Sequence, residues 1–304
     1  MKHNKSDIGS IMNKAVRLKI LIPAFNIPYI PMLEPIFQAL EETDTFAIIE
    51  VSRIEVEKFG AKSFKNVTDE YRKITKNSEL TSLHLDHIPV IDEDGNRVNW
   101  KDLIQEGLDL GFNSVMIDGS RVSLEENIKV TKIVVDIAHK QNIPVEAELG
   151  RVFGHEKNNI TYQEIIMTKM GFTSPEEASK FVKETGVDWL SISCGNIHGA
   201  ISEAIKNKPK VEATLDIEHI KKINEVTNNI PLVLHGGSGI KKESILEGVR
   251  AGISKINIGT EIRQVYETVL KETHSISDAQ KKVASAVKRL IIDVYKIKNS
   301  AKSL

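Results

Sequence analysis

The chain has 304 residues, and its 41 basic and 42 acidic side chains nearly cancel. This length suits one large α/β domain, and the balanced charge argues against nucleic acid or an anionic membrane as the partner. Cys194 is the single cysteine, which excludes an internal disulfide and is typical of a reducing compartment. No apolar stretch approaches the roughly 20 residues that span a bilayer, and residues 1–19 lack the apolar core of a signal peptide. We therefore expect a soluble, cytoplasmic protein.

Short apolar runs rich in Ile, Val and Leu recur along the sequence, as expected for parallel strands that are buried on both faces. Eight such runs are predicted to be strands: residues 19–26, 46–52, 82–87, 114–118, 145–149, 189–194, 232–235 and 255–258.

Stretches with helical periodicity lie between these runs. Examples are residues 31–42, 99–110, 124–141, 175–184, 217–226 and 241–251. Asn99, Ser123, Ser174 and Asp216 are predicted N-caps. Strand and helix alternating eight times indicate a (β/α)8 TIM barrel, with a doubly wound open sheet as the alternative. We expect one domain over residues 1–304, in which residues 261–304 form a helical C-terminal extension packed outside the barrel or against another subunit.

Three histidines each stand just past an apolar run: His87, His198 and His235. Neutral imidazole suits zinc, and three protein ligands with an open position mark a catalytic site. We therefore predict one zinc ion bound by all three, the alternative being three separate hydrogen-bonded histidines. The alternation of side chains between the two faces relaxes at the end of a strand. Asp86 and His87 could therefore both face the same opening at the end of the barrel.

Other polar side chains also collect at or just after the ends of these runs. In a barrel, the carboxyl ends of the strands form the catalytic face. The residues that this pattern brings together are Asp86, His87, Asp118, Glu148, Cys194, His198, His235 and Asn257.

Two glycine-rich segments, residues 235–239 and 257–260, follow the last two predicted strands and precede helices. Glycine lets backbone N–H groups approach an anion, and a helix N-terminus favours negative charge. Barrels often bind phosphate at this position, so we predict a phosphate site here; the alternative is a simple turn.

Glu156 follows the fifth run in a loop. Beside a Lewis-acid metal, a carboxylate could remove a proton from the carbon next to a carbonyl. The alternative is a solvated surface glutamate, and spacing alone does not choose between the two.

Several motifs, read together, resemble those of the class II, zinc-dependent ketose-bisphosphate aldolases, which include fructose- and tagatose-bisphosphate aldolases. In chain order they are Ala24-Phe-Asn26, His84-Leu-Asp-His87, Met116-Ile-Asp-Gly-Ser120, Glu125-Glu-Asn127, Val145-Glu-Ala-Glu-Leu-Gly150, His198-Gly199, Leu234-His-Gly-Gly-Ser-Gly239 and Lys255-Ile-Asn257.

The resemblance implies that zinc would be held by His87, His198 and His235. Asp86 would be the acid/base at the aldehyde-side hydroxyl. Glu156 would match the mobile-loop glutamate that exchanges a proton on dihydroxyacetone phosphate.

Asp118 and Glu148 match family positions that can hold a second divalent metal, and a monovalent cation, Na⁺ or K⁺, is expected near the phosphate. The positions expected around the phosphate and the ketose are Asn26, Ser52, Gly199, Gly236, Gly237, Ser238, Asn257, Gly259 and Thr260.

Arg53 directly follows the second run, so it is predicted to lie on the catalytic face. Its guanidinium could bind a second anion on the substrate. The alternative is a structural ion pair with a nearby glutamate such as Glu55 or Glu57.

The resemblance implies reversible cleavage of a ketose 1,6-bisphosphate, such as fructose or tagatose 1,6-bisphosphate, into dihydroxyacetone phosphate and an aldehyde such as glyceraldehyde 3-phosphate. A homodimer or homotetramer is expected. One alternative is a zinc lyase or hydrolase of the same barrel acting on another phosphorylated sugar or sugar acid. The other is an idle phosphosugar-binding relative, against which the retained Asp86, Glu156 and three histidines argue.

Overall fold

A computed structural model describes residues 7–76, 78–152, 162–197, 213–237 and 239–304. Eight parallel strands pair in chain order, and β8 closes on β1 to form a barrel. The predicted TIM barrel is therefore confirmed. The strands are β1 (Ile22–Asn26), β2 (Ala47–Ser52), β3 (Thr81–Pro89), β4 (Ser114–Asp118), β5 (Val145–Leu149), β6 (Trp189–Ile192), β7 (Leu232–Leu234) and β8 (Ile253–Ile258).

Helices separate successive strands and surround the barrel. They are α1 (Ile8–Leu18), α2 (Leu33–Thr43), α3 (Arg53–Lys58), α4 (Phe64–Thr75), α5 (Trp100–Asp109), α6 (Leu124–Ala138), α7 (Tyr162–Thr168), α8 (Pro175–Thr185), α9 (Ile217–Val226), α10 (Lys242–Ala251), α11 (Thr260–Thr273) and α12 (Ile276–Arg289). Short 3₁₀ turns cover Ile30–Met32, His139–Gln141 and Ser300–Ser303, and a π turn covers Leu290–Val294.

Local backbone chemistry explains where the predicted boundaries were wrong. The first strand begins at Ile22 and not at residue 19, because Lys19 takes a left-handed conformation (φ 54°) that ends α1. Ser123, Ser174 and Asp216 each accept a backbone N–H at the start of a helix, as predicted. Asn99 makes no capping hydrogen bond, and its side-chain amide donates to Asp102 instead.

The N-terminal helix α1 was not predicted, although its apolar residues Ile8, Ile11, Met12 and Ala15 follow helical spacing. These side chains pack against the inward-facing residues near the amino-terminal ends of the strands. The partners in this apolar cluster include Ile22, Ala24, Ile48, Trp189 and Val233.

A layer of charged side chains lies above this apolar floor, because the inward-facing positions of the strands become polar toward their carboxyl ends. The ammonium of Lys255 on β8 is fully buried and contacts Glu146 Oε2 at 2.9 Å and Glu50 Oε2 at 3.2 Å. It also donates to Asn257 Oδ1 at 2.7 Å. A buried charge needs such partners, since desolvation costs several kcal/mol per ion.

The C-terminal extension packs outside the barrel, where α12 contacts α2 and α11. Its first helix begins at Thr260, directly after β8, and His274 ends that helix in a left-handed conformation. Lys14 Nζ on α1 donates to the backbone oxygen of Leu304 at 3.1 Å, which connects α1 to the C-terminal extension. Within the described ranges, no helix has the length and hydropathy needed to cross a membrane.

Replacing Lys255 with Met should strongly destabilise the protein, because Glu50 and Glu146 would remain buried without their cation. Removing one member of a buried ion pair typically costs roughly 3–5 kcal/mol. Combining Lys255→Met with Glu50→Gln should recover part of this loss: burial already raises the pKa of Glu50 well above its ordinary value, and glutamine removes the remaining cost of a buried acid that has lost its cation. Urea unfolding of the single and double variants measures both effects; a single variant with wild-type stability would contradict this account of the charged layer.

Replacing Ser174 with Ala should lower the free energy of unfolding by about 1 kcal/mol, because the backbone N–H of Glu177 loses its acceptor. Asn99→Ala is the matched control, since Asn99 occupies an N-cap position without a capping bond. We expect its effect to stay within about 0.5 kcal/mol. Equal urea midpoints for the two variants would show that the Ser174 cap contributes nothing measurable.

Candidate active site

A cavity of about 420 Å³ opens at the carboxyl ends of the strands. Predicted site residues that line it are Asn26, Ser52, Arg53, Asp86, His87, Asp118, His235, Gly236, Gly237, Asn257, Gly259 and Thr260. These residues come from both halves of the chain, which the closed barrel brings together.

The end of β3 places two consecutive residues in this cavity. Between Leu85 and Ile88 the strand holds one more residue than β4 opposite it, which is a β-bulge. His87 lies at this irregularity with a left-handed φ of 38°, a conformation that costs a non-glycine residue roughly 1 kcal/mol or more. The bulge interrupts the alternation of side chains along β3, so Asp86 and His87 both line the cavity.

The carboxylate of Asp86 is fixed by two amide groups. Asn26 Nδ2 donates to Oδ2 at 3.0 Å, and Asn257 Nδ2 donates to Oδ1 at 2.9 Å. Burial alone would raise the pKa of Asp86, but the positive charges of His87, His235 and Lys255 outweigh it and lower the pKa. Asp86 is therefore a buried, ionised and oriented base.

His235 is held between two carboxylates. Its Nε2 donates to Glu146 Oε1 at 2.8 Å, and its Nδ1 lies 3.2 Å from Glu148 Oε2 without the geometry of a hydrogen bond. Burial would lower the pKa of this imidazole, but the two carboxylates raise it to about 10. A metal ion bound to Nδ1 would displace the proton of that nitrogen and would give this buried polar atom a partner.

His87 lies beside His235, with ring centroids 4.4 Å apart. Potential ligand atoms of Asp86, His87 and His235 all lie within 4.8 Å of one another, and the same holds for His87, Asp118 and Glu148. The donor set of imidazoles and carboxylates suits zinc or another divalent metal. Together with the buried Nδ1 of His235, which makes no hydrogen bond, this arrangement fits a metal ion.

Asp118 orients His87 through a contact of 3.3 Å between its Oδ2 and the Nδ1 of the histidine. Burial would raise the pKa of Asp118, but the contacts with His87 and the N–H of Ser120 lower it. Glu148 accepts from Ser191 Oγ at 3.4 Å. Both predicted ligands for a second metal therefore lie beside His87.

The remaining predicted members of the site lie outside the described residues. They are Glu156, His198, Gly199 and Ser238.

The predicted phosphate segments form one wall of the cavity. Gly236 takes a left-handed φ of 68°. A side chain at Gly237 would meet Ile256 Cδ1 at 2.7 Å and the carbonyl oxygen of Asn257 at 3.2 Å. Gly259 precedes α11 without a capping side chain, so the N–H groups at the helix start remain available to an anion.

Arg53 lines the cavity, but two glutamates already hold its guanidinium. Nη1 pairs with Glu57, and Nη2 contacts Glu93 Oε2 at 2.7 Å. Glu55 forms no hydrogen bond or ion pair with Arg53. It forms a capping box with Ser52 at the start of α3, and burial raises its pKa to about 8.

Sequence reasoning missed Glu50 and assigned no role to Lys255, although each interrupts an apolar strand at an inward-facing position. A charged residue inside a strand buried on both faces was the available signal. Cys194 was grouped with the strand-end residues, but it is fully buried and does not line the cavity. Burial raises the pKa of its thiol.

Comparisons with known proteins extend over nearly the whole chain. The family described as fructose-bisphosphate aldolase class-II matches residues 6–303. A fructose-bisphosphate aldolase of Geobacillus stearothermophilus is 33% identical over 265 residues, which cover 86% of this chain and 83% of that protein. The uncharacterized protein YdjI of Escherichia coli K12 is 32% identical over 295 residues, 96% of each chain.

Solved structures agree with this result. The crystal structure of the YdjI aldolase from Escherichia coli K12 superposes with a TM-score of 0.75 at 29% identity, covering 98% of this chain and 99% of that one. Fructose-bisphosphate aldolase from Campylobacter jejuni has a TM-score of 0.72 at 19% identity over 96% of this chain and 95% of that one, which supports the fold alone. The sequence match across the barrel and the structural match together show that this chain belongs to the class-II fructose-bisphosphate aldolase family.

Proposed function

We propose that this protein is a zinc-dependent aldolase that reversibly cleaves a phosphorylated ketose. The observation that carries the proposal is the position of Asp86, an oriented carboxylate in the same cavity as the His87–His235 pair. Cleavage between two carbons requires a base for the hydroxyl proton and stabilisation of the negative charge left on the other fragment. The cavity has groups suited to both tasks.

His87 and His235 would hold the zinc ion, with His198 as the expected third ligand. When bound, the metal supplies a Lewis acid that polarises the ketose oxygens and stabilises negative charge on the dihydroxyacetone phosphate fragment. Asp118 and Glu148 lie on the same side and would suit a second divalent metal.

Asp86 would accept the proton of the aldehyde-side hydroxyl as the carbon–carbon bond breaks, and return it during addition. Its lowered pKa keeps it ionised near neutral pH, and the amides of Asn26 and Asn257 hold the carboxylate in one orientation. Glu156 would exchange the proton on dihydroxyacetone phosphate.

The glycine-rich wall would bind the phosphate of the substrate. Backbone N–H groups at Gly236, Gly237 and the start of α11 can donate to phosphate oxygens, and the helix N-terminus favours the negative charge. Gly199 and Ser238 are expected to contribute from the same side, together with a monovalent cation.

The substrate is proposed to be a ketose 1,6-bisphosphate such as fructose or tagatose 1,6-bisphosphate. The name of the Geobacillus relative supports the fructose compound, whereas the similarity to YdjI leaves other phosphorylated sugars or sugar acids open. A screen of ketose phosphates with a coupled triose-phosphate readout decides between them. A homodimer or homotetramer in the cytoplasm remains our expectation.

Replacing His235 with Ala should remove most of the bound zinc and most of the cleavage activity, because the proposed ligand atom Nδ1, which makes no hydrogen bond, would be lost. His139→Ala is the matched control, since that histidine is exposed and pairs with Asp188 away from the cavity. Metal analysis of the purified proteins is the direct measurement. Full zinc occupancy in the His235 variant would refute the assignment.

Replacing Asp86 with Ala should leave zinc bound but lower the turnover number by on the order of 10²-fold or more, the usual effect of removing a positioned acid/base group. Asp86→Asn, which retains the side-chain volume, should show a similar loss. Steady-state kinetics on metal-loaded protein test this. A turnover number close to that of the wild type in both variants would exclude Asp86 as the base.

A further inference from the structure

The cavity holds four permanently or normally cationic side chains away from the His87–His235 pair. They are Arg53, Lys58, Arg121 and Arg263. A cation in a substrate cavity is available to a ligand only if no carboxylate of the protein already neutralises it, so the partners of each one matter.

Two of these cations share one glutamate at the β2 and β3 side of the cavity. Arg53 contacts Glu93 at 2.7 Å and also pairs with Glu57. Lys58 Nζ lies 3.4 Å from the other carboxylate oxygen of Glu93. An anion that bound either residue would have to compete with these contacts.

Arg263 is also engaged. Its Nη1 contacts both carboxylate oxygens of Glu267, at 2.9 and 2.8 Å. Its guanidinium carbon lies 4.9 Å from the centre of the Phe59 ring, a cation–π arrangement. Tyr29 donates a further hydrogen bond to Glu267 at 2.8 Å, so this pair belongs to a fixed structural cluster.

Arg121 differs from the other three cations. It is exposed at the cavity and makes no hydrogen bond or ion pair with any residue in the described ranges. Its backbone is held on both sides: the N–H of Ser120 donates to Asp118 Oδ1 at 2.9 Å, and Ser123 caps α6. The guanidinium is therefore presented from a fixed turn, three residues after a side chain that contacts His87.

A solvated surface arginine is the simplest alternative, but it does not explain why this one lines the substrate cavity. Arginine presents a planar fork of donors that matches a phosphate or a carboxylate. The glycine-rich wall lies at the β7 and β8 side of the cavity, whereas Arg121 follows β4. A substrate bound at the glycine-rich wall could thus meet Arg121 with its other end.

We propose that Arg121 determines specificity by binding an anionic group, phosphate or carboxylate, at the far end of the aldehyde half of the substrate. This inference rests on the proposed aldolase function and assigns the second anion to Arg121 rather than to Arg53. The substrate class is then a phosphorylated ketose with a second negative group on the fragment that leaves as the aldehyde.

The test is aldol addition by the zinc-loaded enzyme, with dihydroxyacetone phosphate and three acceptors: glyceraldehyde 3-phosphate, succinic semialdehyde and uncharged glyceraldehyde. Arg121→Ala should raise the KM for an anionic acceptor about tenfold or more, because a charge-assisted contact is lost. The KM for glyceraldehyde should not change, and Arg121→Lys should restore part of the difference. Whether the phosphate or the carboxylate acceptor is affected identifies the anion.

Arg97→Ala is the matched control, since Arg97 pairs with Glu126 outside the cavity lining. Equal changes in KM for charged and uncharged acceptors in Arg121→Ala would overturn the proposal. So would a selective effect in Arg53→Ala without one in Arg121→Ala.

The experiment also distinguishes failure of the proposed aldolase function from failure of the proposal for Arg121. If the zinc-loaded wild type catalysed addition of dihydroxyacetone phosphate to none of the three acceptors, the proposed function would be refuted. Calorimetric binding of glyceraldehyde 3-phosphate and succinic semialdehyde, with dihydroxyacetone phosphate saturating, would then test Arg121 alone. Weaker binding in Arg121→Ala supports its role, and binding equal to that of the wild type refutes it.

Discussion

The ion pairs of Lys255 with Glu50 and Glu146 are the constraint on which the upper half of the barrel depends. An ammonium group in a fully buried layer is tolerated only if carboxylates and hydrogen-bond acceptors replace its water. The same ammonium binds the side-chain oxygen of Asn257 and so turns the Asn257 amide toward Asp86. The orientation of the candidate base is therefore set by a cation that does not itself line the cavity.

Glu146 extends this arrangement toward the metal ligands. One of its oxygens contacts Lys255, and the other accepts from Nε2 of His235, which leaves Nδ1 of the same ring without a hydrogen bond, 3.2 Å from Glu148 Oε2. A partner at the second ring nitrogen fixes the tautomer and orientation of a ligating histidine. The structural charge layer and the candidate metal centre are thus parts of one hydrogen-bonded chain, and a change in either should affect the other.

The architecture could be predicted because buried parallel strands leave a strong local pattern, and the closed barrel then brings their carboxyl ends together. The sequence indicated that Asp86 and His87 could both face the cavity at the end of β3. It did not indicate the β-bulge and the left-handed backbone of His87 that make this possible. Contacts between distant segments carried no local signal. Arg53 pairs with Glu93, 40 positions away, and the partners of Lys255 lie on other strands.

Helix α1 has a consequence for the electrostatics of the site. Its apolar side chains pack against the amino-terminal end of the barrel interior, beneath the charged layer. Water and ions therefore approach these charges from the cavity side, while the opposite side is a medium of low polarity. Coulomb interactions are screened less in such a setting. Helix α1 is remote from the reacting groups, but it thus reduces the screening of Lys255 and its carboxylates by salt. Their electrostatic field should persist at ionic strengths that would screen the same charges on an open surface.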